Sequence, residues 1–483
     1  MPQTIKRDYS LASEAERAAI AAGLAEADWY RTPIDPDRLR VLSERTNTRA
    51  ALHVGLYVAL LVGSGLWAYL SLWSWWSIPA LGIYGVLYGS SADPRWHECG
   101  HGTAFRSSRL NDLVYYPASF MLLRDATLWR WSHVRHHSDT IVVARDPEII
   151  LPRPPRAVDW FPNLFNVRNG PQSMARTVRH AFGRIGEAER SFVPEREHHR
   201  IVWEGRAYVA LWAAVVVWCV ATTSLVPLLF VIGPSFYGAW LMLVFGTTQH
   251  LGLREDVLDH RLNTRTMYLG PVLRFLYWNM NYHVEHHMFP MVPTHNLAAL
   301  HAEIKDDLPA PSRSIVAAYR EIIPALIRQH RDPTYELDRP VPTAIIAGPA
   351  ATGPAAAPPA PADGRLVGGT MRQGLVDVCA IDELQPGEVR RLDVDERTFA
   401  VYRLGDRYLA TDGICTHSRR VHLADGTIVD GQIECPKHNG RFDIESGEPT
   451  RAPVCKALTT YEVDQSAGRV AVRIPPPASD DPT

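Results

Sequence analysis

Two long stretches of the chain carry no Asp, Glu, Lys or Arg: residues 50–92, which is 43 positions, and residues 207–253, which is 47. A helix needs about 20 apolar residues to cross a bilayer, so each stretch has the length of a two-span helical hairpin. Their midpoints hold interface and turn residues: Trp73, Trp75, Trp76 and Pro79 in the first, Thr222, Thr223, Ser224 and Pro227 in the second. The pattern therefore predicts four spans, at about residues 50–71, 77–92, 207–225 and 229–250. A buried helix pair in a soluble core is a poor alternative at this length. Neither turn contains Lys or Arg, whereas the flanking segments are rich in Arg. The positive-inside rule then places both turns outside a cytoplasmic (inner) membrane and both termini in the cytoplasm. The opening MPQTIKRDYS lacks a signal-peptide pattern.

The pattern changes past residue 340. Residues 341–370 are an Ala/Pro/Gly-rich linker, densest at IIAGPAATGPAAAPPAP, and read as a semi-rigid tether. Beyond it, short alternating runs such as TFAVYRL and RYLATDG, bounded by Gly and Asp, predict a small all-β domain over residues 371–476, with a tail at 477–483. The chain is thus multidomain: a cytoplasmic helical segment (1–48), an all-α four-span transmembrane domain (49–340), the linker and the all-β domain. Charge follows the same division. From residue 371 onward there are 14 basic and 19 acidic residues, leaving 36 and 33 before it, for a net charge of −2 over 483 residues. So balanced a chain is not built for nucleic acid. Six Cys in this length are no disulfide scaffold, and 14 Trp with 46% hydrophobic content exclude disorder.

Twenty His is a high count, and eight of them fall in three clusters. His97 and His101 bracket HECGH just after the first apolar stretch; His133, His136 and His137 form HVRHH; His283, His286 and His287 form HVEHH after the second. Positions i, i+3 and i+4 share a helix face, so each cluster can aim its imidazoles at one point. Eight imidazoles exceed what one metal holds, which implies two, and neutral imidazole suits iron or zinc. Two irons can activate O₂ against an unactivated C–H bond. His250, ending the fourth span, is the favoured ninth ligand, and His260 is its competitor. Glu98, Glu285, Asp139 and Asp146 are candidate acceptors for imidazole N–H groups. His53, His180, His198, His199, His295, His301 and His330 belong to no cluster. HECGH also satisfies the H-E-x-x-H zinc-protease signature, a remote alternative that leaves the other histidines unexplained.

In the tail, Cys415-Thr416-His417 is followed by Cys435-Pro436-Lys437-His438. C-x-H with C-x-x-H resembles the Rieske motif, two thiolates on one iron and two imidazoles on the other of a [2Fe–2S] cluster; a Cys₂His₂ zinc site is the alternative. DRYLATDGICTH and IECPKHNGRFDIESGEP are similar to Rieske ferredoxins over about residues 371–473. Arg420 and Lys437 stand near the places where respiratory Rieske domains carry a disulfide, and Arg441 and Asp443 where those place hydroxyl donors. That resemblance implies no disulfide and a lower potential. Too few residues follow the motif for a mononuclear catalytic domain. His422 reads as a bystander, and Cys99, Cys219, Cys379 and Cys455 as ordinary thiols.

HECGH, HVRHH and HVEHH resemble the three boxes of the membrane fatty-acid desaturase/hydroxylase family, over about residues 50–308. WRWSHVRHH, DHRLNTRT and YWNMNYHVEHHMFPMVP are closer to its rhizopine oxygenase branch, which oxidatively demethylates an inositol-amine methyl ether. The resemblance implies a diiron centre below four spans, with O₂ as co-substrate. It also implies hydroxylation or O-demethylation, or desaturation of a fatty-acyl lipid. Acyl-CoA desaturases have an Asn four residues before the extra His, where this chain has Gly246. No G-x-G-x-x-G follows a predicted strand, so a separate NAD(P)H-dependent flavin ferredoxin reductase is the expected partner.

Overall fold

The computed structural model describes residues 7–25, 27–342, 366–367, 375–394, 397–418, 421–437, 439–451 and 454–475. Most of the 341–370 linker, the 477–483 tail, Arg420 and His438 lie outside them. The chain divides into two compact units, Met1–Ile346 and Ala347–Thr483.

The first unit is helical. Among the described residues, three of its helical stretches are long and apolar enough to cross a membrane: Asp37–Leu70, Glu195–Ala221 and Val226–His250. The fourth span expected, at about 77–92, is not among them. That region forms a helix Ser77–Gly85, a π turn Val86–Ser90 and a helix Ala92–His101. Its apolar part gives way to Asp93 and Arg95 before it reaches span length, so four spans are not shown.

The elements that matter for the site are α1 (Asn47–Leu70), α2 (Ser77–Gly85), α3 (Ala92–His101), α4 (Ser108–Met121), α5 (Ala126–Ser138), α6 (His198–Ala221), α7 (Trp240–His250), α8 (His283–Met288) and α9 (Ile315–Arg331). α1 leaves Leu52, Val62 and Leu70 largely exposed, and Trp73 and Trp75 after it are more exposed still. A lipid-facing helix with an aromatic end looks like this. α2 meets the third apolar stretch at two glycines. A Cβ on Gly238 would lie 1.8 Å from the Gly85 carbonyl oxygen, so the backbones touch where no side chain fits. Beyond this crossing the π turn carries the chain into α3, with the Ser91 N–H bonded to the Val86 carbonyl five residues back.

α3, α5 and α8 are short and almost wholly buried, which is unusual for segments so rich in His and Arg. The apolar cluster around Met280, Val284, Met288, Phe289 and Leu300 packs behind α8, and that around Ala92, Trp96, Cys99 and Tyr115 packs behind α3 and α4. The N-terminal segment closes over α5. Glu16 pairs with Arg135 at 2.7 Å and Arg145 at 3.3 Å, and the Trp29 indole N–H donates to the Ser138 carbonyl at 3.0 Å.

The second unit is all-β. β1 (Leu366–Val367), β3 (Val389–Val394), β4 (Arg397–Leu404), β5 (Arg407–Asp412) and β10 (Thr460–Tyr461) form one sheet; β2 (Leu375–Ala380), β11 (Val463–Ser466) and β12 (Arg469–Arg473) form a second. A third sheet is made of β6 (Thr427–Val429), β7 (Gln432–Glu434), β8 (Arg441–Asp443) and β9 (Pro449–Arg451), all antiparallel. Alternating burial in β12, with Val470 and Val472 inward, is the half-buried strand pattern.

Candidate metal centre

Helical spacing decides which imidazoles meet. His97 and His101 lie four apart on α3, His133 and His137 four apart on α5, and His283 and His287 four apart on α8. The structure brings the nine predicted histidines into two groups, His97, His101, His133, His137 and His286, and His136, His250, His283 and His287. Within each group the candidate ligand atoms all lie within 4.8 Å of one another. The boxes on α5 and α8 are each shared between the groups. The groups adjoin, the His137 and His287 rings stacking at 4.1 Å.

The outward nitrogens show how the rings are oriented. His133 Nδ1 donates to Glu148 at 3.1 Å, His136 Nδ1 to Asp146 at 2.8 Å, and His250 Nδ1 to the Asn263 carbonyl at 2.9 Å. His287 Nδ1 lies 3.1 Å from Thr140 Oγ1, whose own proton goes to the His136 carbonyl, so the hydroxyl accepts. An imidazole that spends its one proton at Nδ1 presents a bare lone pair at Nε2. Those lone pairs converge: His133 Nε2 is 3.0 Å from His101 Nε2 and 3.2 Å from His97 Nε2, and His283 Nε2 is 3.2 Å from His250 Nε2 and 3.1 Å from His287 Nε2. Lone pairs held so close repel one another unless cations sit among them. Nitrogen-only donor sets of five and four fit two borderline metal ions such as iron.

Burial, and after it the neighbouring imidazoles, push His97, His137, His283, His286 and His287 well below the usual histidine range. They are neutral at physiological pH, which is the ligating form. For His136 burial acts in the same direction, but the Asp146 carboxylate outweighs it and holds the ring above that range.

Of the four carboxylates expected to support the boxes, Asp146 bonds a box imidazole, that of His136. Glu285 bonds His301 Nδ1 and Thr266 Oγ1, Asp139 pairs with Arg135 and Arg145, and Glu98 accepts from the Thr294 N–H at 3.1 Å. Glu148 was not foreseen. It reaches His133 because the chain reverses after α5, and no periodic spacing announces a reversal. His260 is not in either group; its ring stacks on Trp29 at 4.3 Å. His180 lies apart, bonded to Asp125 at 2.9 Å and Glu189 at 3.0 Å.

In the β unit, Cys415 follows β5 and Cys435 follows β7, both buried. The Cys435 N–H bonds the Gly440 carbonyl at 2.8 Å and the Asn439 N–H bonds the Cys435 carbonyl at 3.1 Å, closing a tight turn. A hydrogen bond between the thiols, foremost, draws Cys415 down to about 7 against the opposing effect of burial. Lys437 Nζ reaches Ser418 Oγ at 3.4 Å and ties the two loops together. His417 lies in the first loop, partly exposed; His438, expected in the second, is outside the described residues. His422 turns to Arg391 at 2.8 Å.

A family model for fatty acid desaturases matches residues 74–318, about half of the chain, and one for the Rieske [2Fe-2S] domain matches residues 374–462. The chain belongs to the fatty acid desaturase family and carries a C-terminal Rieske domain. Its relatives through that domain include Ferredoxin CarAc of Metapseudomonas resinovorans, 40% identical over 103 residues, 21% of this chain and 95% of that protein. The ferredoxin component of a naphthalene 1,2-dioxygenase system from Pseudomonas aeruginosa is 34% identical over 102 residues, 21% of this chain and 97% of that protein. Among solved structures, the complex of reduced oxygenase and oxidized ferredoxin in carbazole 1,9a-dioxygenase is 39% identical, covering 21% of this chain and 94% of that one, with a TM-score of 0.21. Together the two domains point to an oxidoreductase, and the apolar helices to membrane association.

Proposed function

We propose that the chain is a multi-pass, membrane-bound, non-haem diiron oxygenase that hydroxylates or O-demethylates its substrate with O₂ and draws electrons from its own Rieske domain. The observation that carries this reading is the convergence of nine imidazoles in groups of five and four. His97, His101, His133, His137 and His286 would hold one iron, and His136, His250, His283 and His287 the other. Bound iron supplies the capacity to activate O₂ for attack on a C–H bond; in the tail, Cys415, His417, Cys435 and His438 would hold the [2Fe–2S] cluster, which supplies single electrons.

The chain's own residues do the rest. Glu148, Asp146, the Asn263 carbonyl and Thr140 hold the imidazole protons at Nδ1 and so keep four Nε2 lone pairs turned inward. The apolar clusters behind α3 and α8 keep bulk water from the centre. Hydroxylation consumes one O₂, two electrons and two protons, breaks a C–H bond, forms a C–O bond and releases water. Electrons arrive from a separate NAD(P)H-dependent flavin reductase. Ferredoxin components of multicomponent oxygenase systems are among the relatives of the tail, which supports this partner. The topology proposed keeps both termini in the cytoplasm, on the side of the reductase.

The second reading is desaturation of a fatty-acyl lipid, which the family assignment favours. The two part in ¹⁸O₂. Purified protein with a ferredoxin reductase, NADH, a fatty-acyl lipid and a methylated cyclitol should yield ¹⁸O-labelled product, or formaldehyde from the cyclitol. An acyl product that has lost two hydrogens and carries no label would make the enzyme a desaturase.

A further inference from the structure

Between α5 and α6 the chain exposes six large apolar side chains: Val158, Phe161, Phe165, Val167, Val178 and Phe182. The stretch is too charged to be a span, because residues 156–184 hold five Arg and one Asp. We propose that it lies flat on the bilayer surface, its apolar side chains at the acyl boundary and its arginines on the headgroups of anionic phospholipids. The proposal rests on the membrane association of the helical unit and not on the oxygenase reading.

The helix Asn169–Ala181 sorts its residues by face. Gly170, Thr177 and His180 are buried, whereas Ala175, Val178 and, just past its end, Phe182 are exposed and spaced three and four apart along one outward stripe. Rotation of that stripe inward is blocked, since Thr177 Oγ1 and His180 Nδ1 both donate to the buried Asp125, at 2.6 and 2.9 Å. Contacts with α6 set the depth. A Cβ on Gly205 would lie 2.8 Å from the Ala181 nitrogen and 3.0 Å from the Thr177 carbonyl oxygen, so the two helices meet backbone to backbone. Next to it, Arg206 Nε donates to the Ala181 carbonyl at 3.1 Å. The charge-free stretch 207–253 begins at the following residue. The end of the helix is therefore held where α6 enters hydrocarbon, which is the level of an interfacial helix.

Charge selects the lipid. Asp125 and Glu189 are both bonded to His180, and Asp159 is shared by Arg156 and Arg168. Arg179 and Arg184 are exposed and pair with no carboxylate among the described residues. An apolar face bordered by arginines matches an anionic leaflet, whose negative potential attracts basic side chains close to the surface. A zwitterionic surface lacks that attraction. A second copy of the chain laid on this face would bring the same positive charge against itself.

The test places the full chain in nanodiscs of phosphatidylcholine with a minor share of phosphatidylglycerol, extracts it in mild detergent and measures the retained lipids by mass spectrometry. Wild type should retain phosphatidylglycerol about fivefold or more above its share. Arg168→Gln combined with Arg179→Gln and Arg184→Gln should lower that enrichment about threefold or more. Arg407→Gln combined with Arg469→Gln and Arg473→Gln, which removes the same charge from the β unit, should leave it unchanged. A second measurement puts a nitroxide on Phe182→Cys, with Cys219→Ala and Cys455→Ser removing the more accessible thiols. Lipid-soluble O₂ should reach this label better than a water-soluble nickel chelate does. Enrichment in wild type no greater than in the Arg168 triple variant, or a label reached better by nickel, would overturn the proposal. So would a label reached by neither, the result expected if a second copy or another protein covers the face. Neither readout needs turnover: lipid enrichment without labelled product in ¹⁸O₂ would end the oxygenase reading and leave the surface assignment standing.

Discussion

In the helical unit the nine imidazoles come from four segments between residues 97 and 287, and neither group is complete until segments on the two sides of the second apolar stretch have packed. In the β unit, Cys415 and Cys435 lie on two neighbouring loops after β5 and β7, held by a few backbone bonds and the Lys437 contact. The first site is therefore a property of the whole unit, supported by carboxylates and carbonyls that fix proton positions. The second is a property of two turns. Buried side chains grouped so that they could hold metal are thus obtained once by long-range assembly and once locally.

The sharpest separation comes from deleting a ligand on each side. Cys415→Ser should abolish reductase-driven product formation yet leave the iron of the helical unit in place by metal analysis. His137→Ala should lower both product and helical iron, product by more than about 100-fold, while the visible spectrum of the Rieske cluster persists. Retained turnover in Cys415→Ser would break the proposed division of labour. One step weaker, Asp146→Asn removes an outer carboxylate that bonds His136, and should weaken metal retention on the order of 10–100-fold in chelator competition. Glu285→Gln, whose carboxylate serves His301 instead, should change it far less.

The β unit depends on a buried ion pair, Arg441 with Glu434 at 2.7 Å, both almost inaccessible. Arg441→Met removes the nearer of the two arginines beside Glu434, Arg451 lying at 3.8 Å, and should cost about 3 kcal/mol in denaturant unfolding followed by the cluster's absorbance. In the helical unit a pH effect is expected at His180. Burial disfavours its charge, but the hydrogen bonds to Asp125 and Glu189 outweigh it and raise it to about 9. A raised value in the fold means stabilisation that is complete below the ordinary value of about 6.5 and lost as pH rises through about 9. Thermal unfolding should therefore fall more between pH 6 and pH 10 in wild type than in His180→Gln. The smallest effect belongs to the exposed pair Arg407–Glu445, 61% and 64% accessible, where Arg407→Ala should leave the denaturant midpoint of the β unit unchanged within error.

The histidine boxes could be read without a structure because both their internal spacing and the apolar stretches before them are periodic, and periodicity is what sequence displays well. His250 could be read for the same reason, as the residue ending an apolar helix. Glu148 could not, since its approach to His133 depends on a loop that turns back. Glu285 misled because adjacency in sequence to His286 says nothing of facing, and on α8 it points to His301 instead. The span expected at about 77–92 rested on lack of charge alone; Asp93 and Arg95 follow it closely and the π turn Val86–Ser90 interrupts its α-helix, so among the described residues it does not stand with the three long apolar helices.

That π turn has a further consequence. A widened turn acts as one extra residue inside a continuous helix, and an α-helix advances about 100° per residue. The five residues Val86–Ser90 thus offset the phase of α3 relative to α2, so the face of α2 that meets the third apolar stretch and the face of α3 that carries His97 and His101 are set independently. A single-residue deletion in this turn would restore an unbroken helix and swing both imidazoles about 100° away from the other seven, leaving every ligand in the chain and none of the first box in place.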